Sequence, residues 1–176
     1  MQSRGFTLVE VLVAMGVLLA AVAGGVHLLA LAPRTMYAAR IQAVSVLAAS
    51  ARLDELRSLR FEFDEHGQRV TDVSTNLAVF PAVPGGSGLA PGGAAALDVN
   101  VAGFVDYLDG SGAWVGHGVT PPAGAVFVRR WAIDAPGTPD LLVLQVRVTP
   151  VGPGASSMRS ASGDARLASA RARVQR

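Results

Sequence analysis

The chain has 176 residues, with 15 basic and 13 acidic side chains and no cysteine. That leaves room for one ordinary domain plus a membrane element, and it excludes several domains, disulfides, thiolate metal sites and a cysteine nucleophile. All the basic residues are Arg and the formal net charge is only +2, so the high isoelectric point reflects composition and does not mark a nucleic-acid surface.

From Phe6 to Ala32 the chain is apolar apart from Thr7, Glu10, Gly16, Gly24, Gly25 and His27. This run exceeds the roughly 20 residues needed to span a bilayer. Arg4 precedes it and Arg34 and Arg40 follow, a flank too balanced to orient the segment by positive charge alone. A carboxylate inside such a run costs roughly 2.5 to 3.5 kcal/mol, so Glu10 asks for a partner that no basic residue within the run supplies. Gly16, Ala20 and Gly24 recur every four positions, a stripe along which helices can approach closely.

After Pro33 there is no Gly or Pro from Thr35 to Phe61, and the stretch is rich in Ala, Leu and Arg, which predicts continued helix. Tyr37, Ile41, Val44, Ala48 and Ala51 recur at helical spacing and, broadened by Leu47 and Leu56, form the predicted inward face. Arg40, Gln42 and Arg57 mark the outward one. FEFDEHGQRVTDVSTN then reads as charged and turn-rich, and the Gly, Pro and Ala tract from Pro84 to Ala96 as a flexible loop. Strands are predicted at Asn76 to Val83, Ala96 to Phe104, Ala125 to Ile133 and Asp140 to Val148, with a last edge strand at Ala165 to Val174. In the last two of the inner strands, Phe127, Trp131 and Ile133 share a face with Arg129, and Leu142, Leu144, Val146 and Val148 form an unbroken apolar row. A long connection runs from Pro150 to Asp164. The expected fold class is α+β, with a long N-terminal helix, half membrane-embedded and half amphipathic, packed on a small, mostly antiparallel sheet.

Catalytic patterns are absent from the sequence. His27, His66 and His117 are far apart, without metal-ligand spacing and without an obvious nucleophile beside them. The glycines of GSGAWVGHG do not have dinucleotide spacing and read as a hairpin. Asp106 and Asp109 suggest a calcium loop but lack the alternation of an EF-hand, so a solvated turn is the simpler reading. Trp114 and Trp131 near Arg129 and Arg130 suggest a base-stacking platform, yet the two arginines point to opposite faces and Trp131 alternates with core positions. No enzyme activity, cofactor, metal or nucleic-acid partner is expected.

Gly5 followed by FTLVE, after a short basic leader and ahead of a spanning run, resembles the cleavage and methylation signature of type IV prepilins and type II secretion pseudopilins. The resemblance implies cleavage after Gly5, N-methylation of Phe6 and an assembly role for Glu10, whose carboxylate would meet the new cationic amine of Phe6 on a neighbouring subunit or along the same helix. ARIQAVSVLAASARLDELRSL, VDYLDGSGAWV, FVRRWAI and LLVLQVRV further resemble minor pilins of the PilV kind and secretion counterparts of the GspI kind, although the Cys pair common in major pilins is missing.

The implied organisation is a leader at 1–5, a transmembrane and filament-core segment at 6–32, an amphipathic helix at 33–60 and a β-rich, pilin-like head at 61–176. The implied partners are other pilins or pseudopilins met through the N-terminal helix, the prepilin peptidase and methyltransferase, and an inner-membrane assembly platform. The chain would sit in the inner membrane by a single pass, head outside the cytoplasm, and then in a pilus or pseudopilus. Two other readings stay open. Ala21 to Ala23 fits a signal-peptidase site, which would release a secreted domain, and an uncleaved signal anchor would hold a periplasmic one. Either leaves Glu10 without an explanation.

Overall fold

A computed structural model describes residues 7–92, 94–151 and 163–175, with the side chains at 24, 26–32, 34, 94 and 175 outside that description. Helix α1 runs over Leu8–Ser58 and contains Pro33. The chain divides into two compact units, Met1–Ala39 and Arg40–Arg176.

In the first unit the side chains from Leu8 to Val22 are exposed on every side of α1, Leu8 at 78% and Leu19 at 68%. Among the described residues, no helix is long and apolar enough to cross a membrane. The run expected to span, Phe6 to Ala32, begins before the described residues and includes Gly24 and 26–32, so its fully described part stops at Ala23, short of the roughly 20 residues a bilayer requires.

The second unit is built on a five-stranded antiparallel sheet, with β5 (Val105–Leu108), β6 (Trp114–His117), β7 (Phe127–Asp134), β8 (Leu141–Pro150) and β9 (Ala165–Ala172) in the order β6-β5-β7-β8-β9. Period-two alternation brings Phe127, Trp131, Ile133, Leu142, Leu144, Val146 and Val148 into one core, together with Ile41, Ala48, Ala49, Leu53 and Leu56 of α1. The architecture is therefore α+β, an N-terminal helix with an antiparallel sheet.

Three smaller pieces complete the unit. Strands β1 (Phe61–Phe63), β2 (Arg69–Thr71) and β10 (Val174–Gln175) form a sheet in which β10 pairs parallel to β1. A two-stranded ribbon joins β3 (Thr75–Asn76) to β4 (Val83–Pro84). One turn of 3-10 helix covers Ala94–Leu97.

Several elements differ from the sequence reading. The inward face of α1 carries Ile41, Ser45, Ala48, Ala49, Arg52, Leu53 and Leu56, whereas Tyr37 and Leu47 are 56% and 68% exposed and Ala51 lies outside. The face is rotated because two polar side chains find partners inside. Ser45 donates to the Gly163 carbonyl at 3.0 Å, and Arg52 enters an ion-pair cluster.

The expected strand from Ala96 to Phe104 is instead a 3-10 turn followed by bends. Ala96 and Leu97 close over Ala132 on the outer face of β7, a surface that needs an apolar cover. The expected strand from Asn76 to Val83 survives only near its ends, in β3 and β4. FEFDEHGQRV holds two strands around a turn in which Asp64 Oδ1 accepts the His66 and Gln68 N–H groups, with Gly67 at φ 71°.

The start of the Pro84 to Ala96 tract is pinned, not loose. Gly85 and Gly86 donate to the Ser74 carbonyl, Leu89 donates to that of Asp72, and the Leu89 side chain is fully buried. Most of the connection from Pro150 to Asp164 lies outside the described residues.

Arginines close the ends. Arg171 donates to the Leu56 and Leu59 carbonyls at 3.4 and 2.7 Å, satisfying acceptors that the end of α1 leaves open. Arg173 interrupts the last predicted strand between β9 and β10. It stacks 3.9 Å from the Phe61 ring centre and donates to the Glu62 and Val70 carbonyls and the Thr71 hydroxyl.

Candidate functional site

In the first unit, Thr7 precedes α1 and accepts the Glu10 N–H through its hydroxyl at 3.3 Å and its carbonyl at 3.1 Å. Thr7 is thus a helix N-cap, and Glu10 stands at the spacing of a capping box, in the first turn, where a carboxylate complements the helix dipole. The Thr7 and Glu10 spacing carried this signal in the sequence.

Glu10 is exposed and borders an apolar groove lined by Val11, Ala14, Met15 and Leu18. Gly16 lies in the same helix, where an added Cβ would meet nothing, and Ala20 is exposed. Gly24 is helical, with its surroundings outside the description. Gly5 and Phe6 lie outside the described residues.

The second unit contains a buried charge cluster. Asp106 of β5 is fully buried between Arg52 of α1 and Arg129 of β7, themselves 2% and 7% exposed. Arg52 Nη2 donates to Asp106 Oδ2 at 2.6 Å. Arg129 grips the same carboxylate in two bonds, Nε to Oδ1 at 3.0 Å and Nη2 to Oδ2 at 2.7 Å. The second Arg52 terminal nitrogen bonds the Leu77 carbonyl and lies 2.9 Å from Glu55, and the guanidinium rests 4.5 Å from the Trp131 ring centre. Arg129 Nη1 donates to the Ala48 carbonyl at 3.2 Å. Burial, and then the nearby charge of Arg129, lower the pKa of Arg52, while Asp106 and Glu55 oppose that shift.

Arg129 on an otherwise apolar strand face was the visible sign of this cluster. Its partners were not legible, since Asp106 was read with Asp109 as a turn or calcium ligand. The two carboxylates in fact serve different ends. Asp109 Oδ1 accepts the Ser111 and Ala113 N–H groups and the Ser111 hydroxyl. Among the described residues there is no group of three His, Cys, Asp or Glu side chains placed to hold a metal. Trp131 is buried, and Trp114 donates to the Ala78 carbonyl. Arg130 turns to the other face, toward Asn100 and Thr149, so the two arginines form no common patch.

Hydrogen bonding holds three surface carboxyls below their usual range: Asp72 through Thr75, Asp109 through Ser111 and Asp140 through Arg69. A carboxyl with a folded pKa below its unfolded one contributes stability that is complete above the unfolded value, and that contribution is lost as pH falls through the folded value. Thermal unfolding followed between about pH 2 and 7 should therefore be flat down to about pH 5 and decline below about pH 4. A midpoint that rises on acidification would contradict these bonds.

Residues 1–26 match a family model described as the prokaryotic N-terminal methylation motif. No curated protein and no solved structure matches the chain.

Proposed function

We propose that this chain, whose first 26 residues carry the N-terminal methylation motif of type IV pilin and pseudopilin precursors, is a filament subunit cleaved after Gly5 and methylated on Phe6. The observation that carries the reading is the surface that the helical part of the matched stretch presents. Leu8, Leu12, Leu18 and Leu19 are each more than 60% exposed around α1, an apolar girdle that demands a bilayer or other helices. Before assembly the girdle lies in the inner membrane, with the head outside the cytoplasm. After extraction it packs against the helices of neighbouring subunits, with Gly16, Ala20 and Gly24 allowing close approach. Glu10 supplies a carboxylate for the methylated amine of an adjacent Phe6. The processing peptidase, its methyltransferase activity and the assembly platform are the membrane partners.

The finer reading is a minor, pilin-like subunit of a type IV pilus, with a minor pseudopilin of a type II secretion system as the alternative. The resemblance of FVRRWAI and LLVLQVRV to such subunits supports it. Intact-mass and quantitative mass spectrometry of sheared filaments tests the whole reading. The expected species lacks Met1 to Gly5, carries one added methyl group and is sparse relative to the main subunit. Loss of Met1 to Ala23 would instead establish a secreted domain, and dominance of this chain in the filament would overturn the minor assignment.

A further inference from the structure

Strand β9 ends the five-stranded sheet, and its one neighbour is β8, in an unbroken antiparallel register from Leu141↔Ala172 to Val148↔Ala165. The Arg173 N–H donates to the Asp140 carbonyl, the next step of that register. Main-chain bonds alternate along an antiparallel pair, so residues 165, 167, 169 and 171 bond β8 while residues 166, 168, 170 and 172 aim their N–H and C=O groups away from it. Among the described residues, nothing accepts from those four outward N–H groups. The Ala170 carbonyl takes the Ser169 hydroxyl at 3.3 Å and keeps a second lone pair.

An open edge of this length is ordinarily blunted by a proline or a bulge. Strand β9 has neither, since ARLASARA contains no Pro and its register with β8 never shifts. The side chains beside the outward groups are Arg166, Ala168, Ala170 and Ala172, all exposed, and three alanines in a row leave room for a strand at the usual spacing of about 4.8 Å. On the inner side, Arg57 of α1 donates to Ser169 Oγ at 2.8 Å. Val46, about three turns earlier on the same face of that helix, is left 39% exposed, an apolar seat for an inward side chain of an added strand. Arg166 is the only charge of the exposed row. It bonds the neutral Gln145 Oε1 at 2.7 Å and stands directly across from Arg147, which favours a carboxylate beside it and disfavours another cation.

We propose that β9 is a docking edge for an extended strand of a neighbouring filament subunit, joined by main-chain hydrogen bonds to residues 166, 168, 170 and 172 and carrying an acidic residue beside Arg166; the inference rests on the filament-subunit reading. The edge specifies a strand because an extended backbone presents donors and acceptors at the matching alternate spacing. Open helical assemblies grow through heterologous contacts, so the occupant is another segment of the neighbour and not a second β9. Arg166 fixes which strand is accepted, and the alanines fix how closely it lies.

Two measurements on the full-length chain in filament-producing cells test it. Photo-crosslinking residues placed in turn at 168, 170 and 172 should, in assembled filaments, join one acid-containing segment of a neighbouring subunit at positions that step by two. Ala170→Pro removes an outward donor and sets a ring against the incoming strand, yet leaves the bonds to β8 in place. It should enter filaments at least about tenfold less than the wild type, with unchanged N-terminal processing and thermal unfolding. Crosslinks that step by three or four, as on a helix, or that scatter over several segments would overturn the docking edge. So would a linked segment without an acidic residue, no intersubunit crosslink, or wild-type incorporation of Ala170→Pro. A wild-type chain absent from filaments would sink the filament reading, and the docking edge with it.

Discussion

Asp106→Ala should leave the second unit barely folded at room temperature, with a loss on the order of 3–5 kcal/mol against a total of about 5–15 kcal/mol for an ordinary domain. The cost comes from what remains. Arg52 and Arg129 would face each other in a site where both are more than nine-tenths buried, with no carboxylate between them. Arg52 already has a lowered pKa because of burial and the charge of Arg129, and removing Asp106 deletes the principal opposing influence. Asp106→Asn keeps the shape but not the charge and should be nearly as damaging. Replacing the whole cluster with Arg52→Met, Asp106→Leu and Arg129→Met should recover much of the stability, since an apolar core of similar volume avoids desolvating three ions. Urea unfolding of the full-length protein in detergent, followed by tryptophan fluorescence, is a direct readout, because Trp131 lies beneath the Arg52 guanidinium. An unchanged midpoint for Asp106→Ala would show that the cluster does not hold α1 to the sheet.

The contrast between legible and illegible parts of the fold follows from how local each signal is. The row Leu142, Leu144, Val146 and Val148 is written in consecutive alternate positions, and the structure buries all four. The turn between β5 and β6 was legible for the same reason, since Asp109, Gly110 and Gly112 carry it within a few residues, whereas the two short strands it joins were not predicted. By contrast, the inward face of α1 depends on partners more than 50 residues away along the chain. An apolar periodicity gives Ser45 and Arg52 no place on the inward face, because it cannot see Gly163 or Asp106.

Strands β1 and β2 were missed because each has only three residues, too few for a period to show. Their sheet is tied to the chain's other end by Arg173 and β10. The Ala96 to Phe104 stretch alternates like a strand, but the outer face of β7 needed a cover more than the sheet needed another member. At the N-terminus the motif is contiguous, which is why Gly5, Phe6 and Glu10 stood out without any knowledge of the rest of the chain.

Glu10→Gln should enter the membrane at least as well as the wild type and yet enter filaments at least about tenfold less. Removing a charge from an apolar run relieves part of the roughly 2.5 to 3.5 kcal/mol that a carboxylate costs there. In the filament the same change removes the counter-charge proposed for the methylated amine of Phe6, and breaking a buried pair costs about 3–5 kcal/mol, more than a factor of ten in any equilibrium.

The choice of Gln separates this role from the capping one. Glu10 sits in the first turn of α1 beneath the Thr7 cap, where its charge is worth only about 0.3–1 kcal/mol to the helix. Gln keeps the capping-box geometry. If Glu10 served the helix start alone, Glu10→Gln would assemble almost normally and Thr7→Val would be the more harmful change. If Glu10 pairs with Phe6, Glu10→Gln should fail as Glu10→Leu does, while the intact mass of both variants still shows cleavage after Gly5 and one added methyl. Quantifying processed chain in membranes and in sheared filaments of the same cells decides between these outcomes, because only the pairing role leaves the membrane pool full and the filament pool empty.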